Sequence, residues 1–122
     1  MRLEIYSLKT CDTCRKAIKA LQGAGQQGKS YALSIKDVRS DGIGPDILEN
    51  LVSTLGWKAL LNTRSTTWRG LSDADKADID ASKAMALITK HPTLMKRPVI
   101  LSPHHMTVGW SPEVQDIYLS KP

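Results

Sequence analysis

The stretch Ile5-Tyr6-Ser7-Leu8-Lys9-Thr10-Cys11-Asp12-Thr13-Cys14-Arg15-Lys16-Ala17 decides the reading of this chain. Its start alternates: Arg2–Ser7, with Leu3, Ile5 and Ser7 on one face, predicts a strand. The residues after Leu8 predict a helix, with Thr10 or Asp12 as its cap, Ala17, Ile18 and Leu21 on its buried side, and Arg15, Lys16 and Lys19 left wet. The two cysteines, the only two in the chain, fall where strand hands over to helix. A thiol in the first turn of a helix faces unpaired backbone N–H groups, which stabilise its thiolate. Cys11 is therefore the expected nucleophile. Cys14, one turn deeper, is the expected resolving thiol for a mixed disulfide formed at Cys11. The plain alternative is that both are small buried hydrophobes.

Working outward, residues 31–38 predict a second strand, reached through a crossover of the length that gives a parallel β-α-β unit. Pro45 near its first position and Ile47, Leu48, Leu51, Val52 and Leu55 mark a helix that Gly56 stops. Residues 57–61 form a further short helix. Ser72 followed by Asp75 suggests a cap, and Ala84, Met85, Leu87 and Ile88 bring an apolar helical face up to His91-Pro92. Residues 98–102 and 106–109 predict a hairpin turned at Pro103-His104-His105. Ser111-Pro112 opens a last helix with Val114, Ile117 and Tyr118 facing inward. The order implies an α/β protein: a four-stranded mixed sheet of thioredoxin-like architecture, one domain over residues 1–122, with a helical insertion at about 44–90.

Composition narrows the class. Seventeen basic residues against twelve acidic give +5, which favours anionic partners. No aromatic-rich recognition strand or zinc finger accompanies that charge, so a solvated basic surface explains it better than nucleic-acid binding. No apolar run approaches the roughly 20 residues that span a bilayer. Two cysteines three positions apart make no secreted disulfide framework, and the start shows no long apolar signal segment. A cytoplasmic, membrane-free, monomeric protein is expected. Zinc would need four donors, and His91, His104 and His105 supply no compact second ligand pair, so no bound metal or cofactor is expected.

Gly23-Ala24-Gly25-Gln26-Gln27-Gly28-Lys29-Ser30 matches a phosphate-binding loop letter for letter. Such a loop follows a strand and opens a helix, whereas this one follows a helix and precedes a strand. A helix–strand connection explains its glycines better. Lys96-Arg97-Pro98 places a proline at a strand edge and an arginine suited to hold an anionic group or favour a thiolate. Arg64 and Arg69 flank Trp68 with Thr66 and Thr67 between, either lining an anionic groove or lying wet beside a packed indole.

Taken with Leu55-Gly56-Trp57-Lys58-Ala59-Leu60-Leu61-Asn62-Thr63-Arg64, Thr66-Thr67-Trp68-Arg69 and His91-Pro92-Thr93-Leu94-Met95-Lys96-Arg97-Pro98, the cysteine segment resembles the arsenate reductase/Spx-like family. The resemblance covers nearly the whole chain in order and is nearest to its small bacterial arsenate reductase-like thiol reductases. It implies that Cys11 is the reactive cysteine, that Cys14 is the second cysteine of the disulfide-switch regulators, and that Arg97 precedes a cis Pro98. Thr10 and Asp12, beside Cys11, together with Arg64 and Arg97, are the implied substrate-binding groups. The family's arsenate reductases use further arginines where this chain has Asn62 and Trp110, which speaks against arsenate reduction. The implied activity is thiol–disulfide oxidoreduction of a small anionic or disulfide substrate, with glutathione as co-substrate. The alternative is a redox-sensing transcriptional regulator that binds RNA polymerase and carries a Cys11–Cys14 disulfide switch.

Overall fold

The computed structural model describes residues 2–23 and 31–119. Four strands, β1 (Arg2–Ser7), β2 (Ala32–Asp37), β3 (Val99–Leu101) and β4 (Met106–Val108), form one sheet in the order β2-β1-β3-β4. Among the described residues there are seven helices: α1 (Asp12–Gln22), α2 (Pro45–Leu55), α3 (Trp57–Leu60), α4 (Thr66–Arg69), α5 (Asp73–Lys76), α6 (Ala81–Lys90) and α7 (Pro112–Leu119). The chain divides into two compact units, Met1–Asp37 with Arg97–Pro122, and Val38–Lys96.

In the first unit β1 runs parallel to β2 and antiparallel to β3, and β3 antiparallel to β4, so the sheet is mixed as the sequence implied. β1 has the bounds that its alternation predicted, but both of its faces are covered. Tyr6 is 1% exposed beside Leu3 and Ile5 at 0%, so the second face is covered toward the strand's end although Arg2 at its start is exposed. On one face Leu3 and Ile5, with Ile100 directly opposite Ile5, pack against Leu21 of α1 and Val114 and Tyr118 of α7. Tyr31 donates to the Tyr118 carbonyl at 2.8 Å, and the Tyr118 hydroxyl meets Thr107 at 2.9 Å, so the polar ends of this core are satisfied. Ile117 corrects the expected inner face of α7: it is 37% exposed, because Val114 and Tyr118, four apart, already fill the stripe that meets the core. Ser111 caps α7 through the Val114 N–H. The hairpin closes with Ser102 and His105 exchanging backbone and side-chain hydrogen bonds, which leaves His104 and His105 exposed.

The second unit is helical. Leu48 and Leu51 of α2, Leu60 of α3 and Ala84, Leu87 and Ile88 of α6 are buried, and α2 packs on both α3 and α6. Gly56 turns the chain between α2 and α3 at φ +86°, where a side chain would be strained, and its N–H closes on the Val52 carbonyl. Ser72 accepts from the Asp75 N–H as its spacing predicted. Two details differ from the sequence reading. α4 is an additional helix, capped by Ser65 through the Trp68 N–H, in a segment the sequence left unassigned. Met85 of the predicted apolar face is only partly buried. Asp80 caps α6 through the Lys83 N–H, while the Lys83 ammonium donates to the Ala74 and Ala77 carbonyls. His91 ends α6, as its place before Pro92 suggested.

The phosphate-loop look-alike lies outside the described residues except for Gly23, the C-cap of α1. Among the described residues no helix is long and apolar enough to cross a membrane.

Candidate functional site

The turn from β1 into α1 is short and tied down. Cys11 N–H donates to the Leu8 carbonyl at 2.9 Å, and the Cys11 carbonyl accepts from Arg15 N–H at 3.1 Å, the first bond of the helix. The predicted cap at Thr10 or Asp12 is corrected: Cys11 itself is the N-cap, in extended conformation (φ −88°, ψ 112°), and its Sγ accepts from the Cys14 N–H at 3.3 Å. The sulfur occupies the slot that a serine or aspartate oxygen usually fills. Asp12, one residue later, pairs instead with exposed Arg15, an ion pair of small energetic weight. Thr10 is exposed beside them.

The two thiols experience opposite environments. Cys11 is partly exposed and Cys14 is 0% exposed. Burial opposes ionisation of Cys11. The hydrogen bonds from the Cys14 side chain and backbone, then the charge and hydrogen bond of Arg97, outweigh it and hold the Cys11 thiol below its ordinary pKa. Burial pushes Cys14 up to about 12, and its hydrogen bond to Cys11 and the Cys11 charge push it the same way. The environment thus favours ionisation at Cys11 and disfavours it at Cys14, whose side chain and N–H both face the Cys11 sulfur. Neither cysteine is disulfide-bonded.

Arg97 comes from the other end of the unit, just before β3, and is brought to both thiols as its electrostatic effect on each shows. The Arg97–Pro98 peptide bond is cis, and the buried Pro98 accepts through its carbonyl from Gly109 N–H at 2.8 Å. Trp110, next in the chain, is partly buried against the sheet core. Cys11, Cys14, Arg97 and Pro98 thus share the first unit. Arg64 belongs to the second unit, where it is exposed and its carbonyl accepts from Arg69. Asn62 has a local task there: its side-chain oxygen accepts from the Arg64 N–H at 3.1 Å, closing the turn before α4. Lys76 lies 5.9 Å from the Trp68 ring centroid. Sequence reasoning missed Asp37. Its carboxylate accepts from the Lys9 N–H at 3.1 Å, and its only sequence signal is its place at the end of a predicted strand.

A thiol that caps the first helix after a central strand, its pKa lowered in part by an arginine that precedes a cis proline, marks a thiol-based redox protein of thioredoxin-like fold. A sequence profile described as the ArsC family matches residues 6–117, and the chain belongs to that family. A protein of Haemophilus influenzae is 35% identical over 109 residues, covering 89% of this chain and 91% of its own length. The global transcriptional regulator Spx of Lactiplantibacillus plantarum is 26% identical over 107 residues, covering 88% and 78%. Among solved structures, a YffB protein superposes with a TM-score of 0.86 at 32% identity, over 97% of this chain and 99% of its own.

Proposed function

We propose that the protein is a thiol–disulfide oxidoreductase in which Cys11 attacks the disulfide of a small glutathione-bearing substrate. The observation that supports this most is the contrast at the helix start: Cys11 is partly exposed and caps the helix through its sulfur, with its pKa lowered, while Cys14 is buried with its pKa pushed up to about 12. The Cys11 thiolate would displace the substrate thiolate and form a Cys11–glutathione mixed disulfide. A second glutathione thiolate then attacks that bond, returning Cys11 as thiolate and releasing glutathione disulfide. The substrate gains the two electrons that the two glutathiones give up. Arg97 stabilises the thiolate in the resting state and meets the anionic substrate group; Pro98 shapes the wall opposite the thiols. Thr10 and Asp12 flank the approaching substrate.

Cys14 acts first as a donor. Once Cys11 is in a mixed disulfide its charge is gone, so one cause of Cys14's high pKa disappears and Cys14 becomes a resolving thiol by a second route. No resident metal or nucleotide is required by these steps, and a cytoplasmic setting supplies the glutathione.

The similarity to proteins named global transcriptional regulator Spx supports a second reading, a redox-controlled regulator with RNA polymerase as partner and a Cys11–Cys14 disulfide as its switch. Steady-state reduction of the glutathione–mercaptoethanol mixed disulfide, followed with wild type and Cys11→Ser beside a polymerase pull-down, separates the two. Catalytic turnover lost in Cys11→Ser supports the oxidoreductase. Polymerase capture that depends on the redox state, without turnover, rejects it in favour of the regulator.

A further inference from the structure

Beyond the end of the sheet, the segment that carries Cys11 is tied to β2 by side chains of both strand ends. Ser7 pairs with Asp37 at the last position of the β1–β2 ladder. There the chain leaves β1 and turns through residues 8–11, and side chains of the two strand ends take over from the backbone. Ser7 Oγ donates to the Lys36 carbonyl at 3.2 Å, and Lys9 N–H donates to Asp37 Oδ2 at 3.1 Å. The turn itself is closed by Cys11 N–H on the Leu8 carbonyl. Lys9 and Thr10 are exposed, so little apolar packing fixes the middle of this turn. The hydrogen bond from Lys9 ties that middle to the end of β2. Where the turn stops is where Cys11 must stand with φ −88° and ψ 112° for Sγ to reach the Cys14 N–H.

We propose that Asp37 is a positioning residue for the Cys11 thiolate: by holding the Lys9 N–H it fixes the turn that places the sulfur over the start of α1. This rests on the reading of Cys11 as the nucleophile. Asp37 acts here as a hydrogen-bond acceptor. As a charge it would work against a nearby thiolate, since like charges disfavour ionisation. Acceptor and charge therefore predict opposite consequences of substitution. An asparagine keeps the acceptor and loses the charge; an alanine loses both; a glutamate keeps the charge and moves the acceptor out by one methylene.

The test is the pH profile of Cys11 alkylation by iodoacetamide on the full chain, with the modified cysteine assigned by mass spectrometry. Asp37→Ala is expected to raise the midpoint and slow alkylation below it by about threefold or more, because only the thiolate reacts. Asp37→Asn is expected to stay close to wild type, the rescue that distinguishes an acceptor from a charge. Asp37→Glu is expected to shift in the direction of alanine, and it carries the test should the alanine variant not fold. An unshifted profile in Asp37→Ala or, failing that, in Asp37→Glu overturns the inference, as does a common shift in Ala and Asn. An acidic wild-type midpoint with unshifted variants overturns this inference alone. An ordinary wild-type midpoint overturns the activated-thiolate reading, and with it the role given to Asp37.

Discussion

The start of α1 in the first unit and the starts of α4, α5 and α6 in the second solve the same problem with different atoms. Each has an extended residue whose side chain accepts the N–H three positions on. In the second unit the acceptors are the hydroxyls of Ser65 and Ser72 and the carboxylate of Asp80; at α1 it is the sulfur of Cys11, although α7 of the same unit is capped by the Ser111 hydroxyl. Oxygen is the stronger acceptor and the usual choice. A thiol in that slot gives up capping strength, yet the same N–H and the neighbouring Arg97 lower its pKa. The difference teaches that three helix starts are capped by oxygen, while a fourth uses a sulfur whose own ionisation the cap favours.

The sharpest way to break this contrast is to put the second unit's solution into the first. Cys11→Ser is expected to reduce disulfide turnover by about a thousandfold or more, the loss expected on removal of a nucleophile. Its thermal midpoint is expected to equal or exceed wild type, since serine is the better cap. Residual turnover at the wild-type rate, or a marked drop in stability, would break the comparison. Arg97→Met comes next. It removes both a charge and a hydrogen bond that favour the thiolate, so the Cys11 midpoint is expected to rise by about one pH unit and alkylation below it to slow about tenfold. An unmoved midpoint would show that the helix start suffices.

Cys14→Ala is expected to move the Cys11 midpoint upward as well, because the thiol donor is lost although the Cys14 N–H stays. The same variant changes the pH dependence of folding. From the ordinary thiol range, about 8.5, up to about 12, folded Cys14 keeps a proton that the unfolded chain has released. The unfolded state then binds fewer protons, so this thiol's contribution is fully present below that window and is lost as pH rises through it. Thermal midpoints recorded across that window are expected to fall less steeply in Cys14→Ala than in wild type. The smallest effect belongs to the second unit. Asp80→Ala is expected to cost about 1 kcal/mol in denaturant unfolding while leaving the Cys11 alkylation profile unchanged.

The succession of elements along the chain, the mixed sheet and the longer helices were legible because they are written in period and punctuation. β1 alternates, Pro45 opens α2 and Gly56 ends it, and Ser111-Pro112 opens α7. Where prediction slipped, a short element or a three-dimensional contact decided. α4 spans a single turn, too brief for a periodic signal. Ile117 carries the right chemistry for a core but sits at the margin of a stripe already filled by Val114 and Tyr118. Cys11 was visible as a candidate nucleophile, yet its role as cap was not, because capping preferences are learned on oxygen. Asp37 could not be found from its neighbours: its partner is the main chain of Lys9, and no side-chain pattern marks a backbone donor.

The order in which the chain emerges during synthesis gives the antiparallel pairing of β1 with β3 a temporal meaning. Cys11 leaves the ribosome early, while Arg97, next to β3, waits until the whole helical unit has been made. Until that distant contact closes, the nascent sulfur has only its Cys14 contacts to lower its pKa and lacks the share that Arg97 supplies.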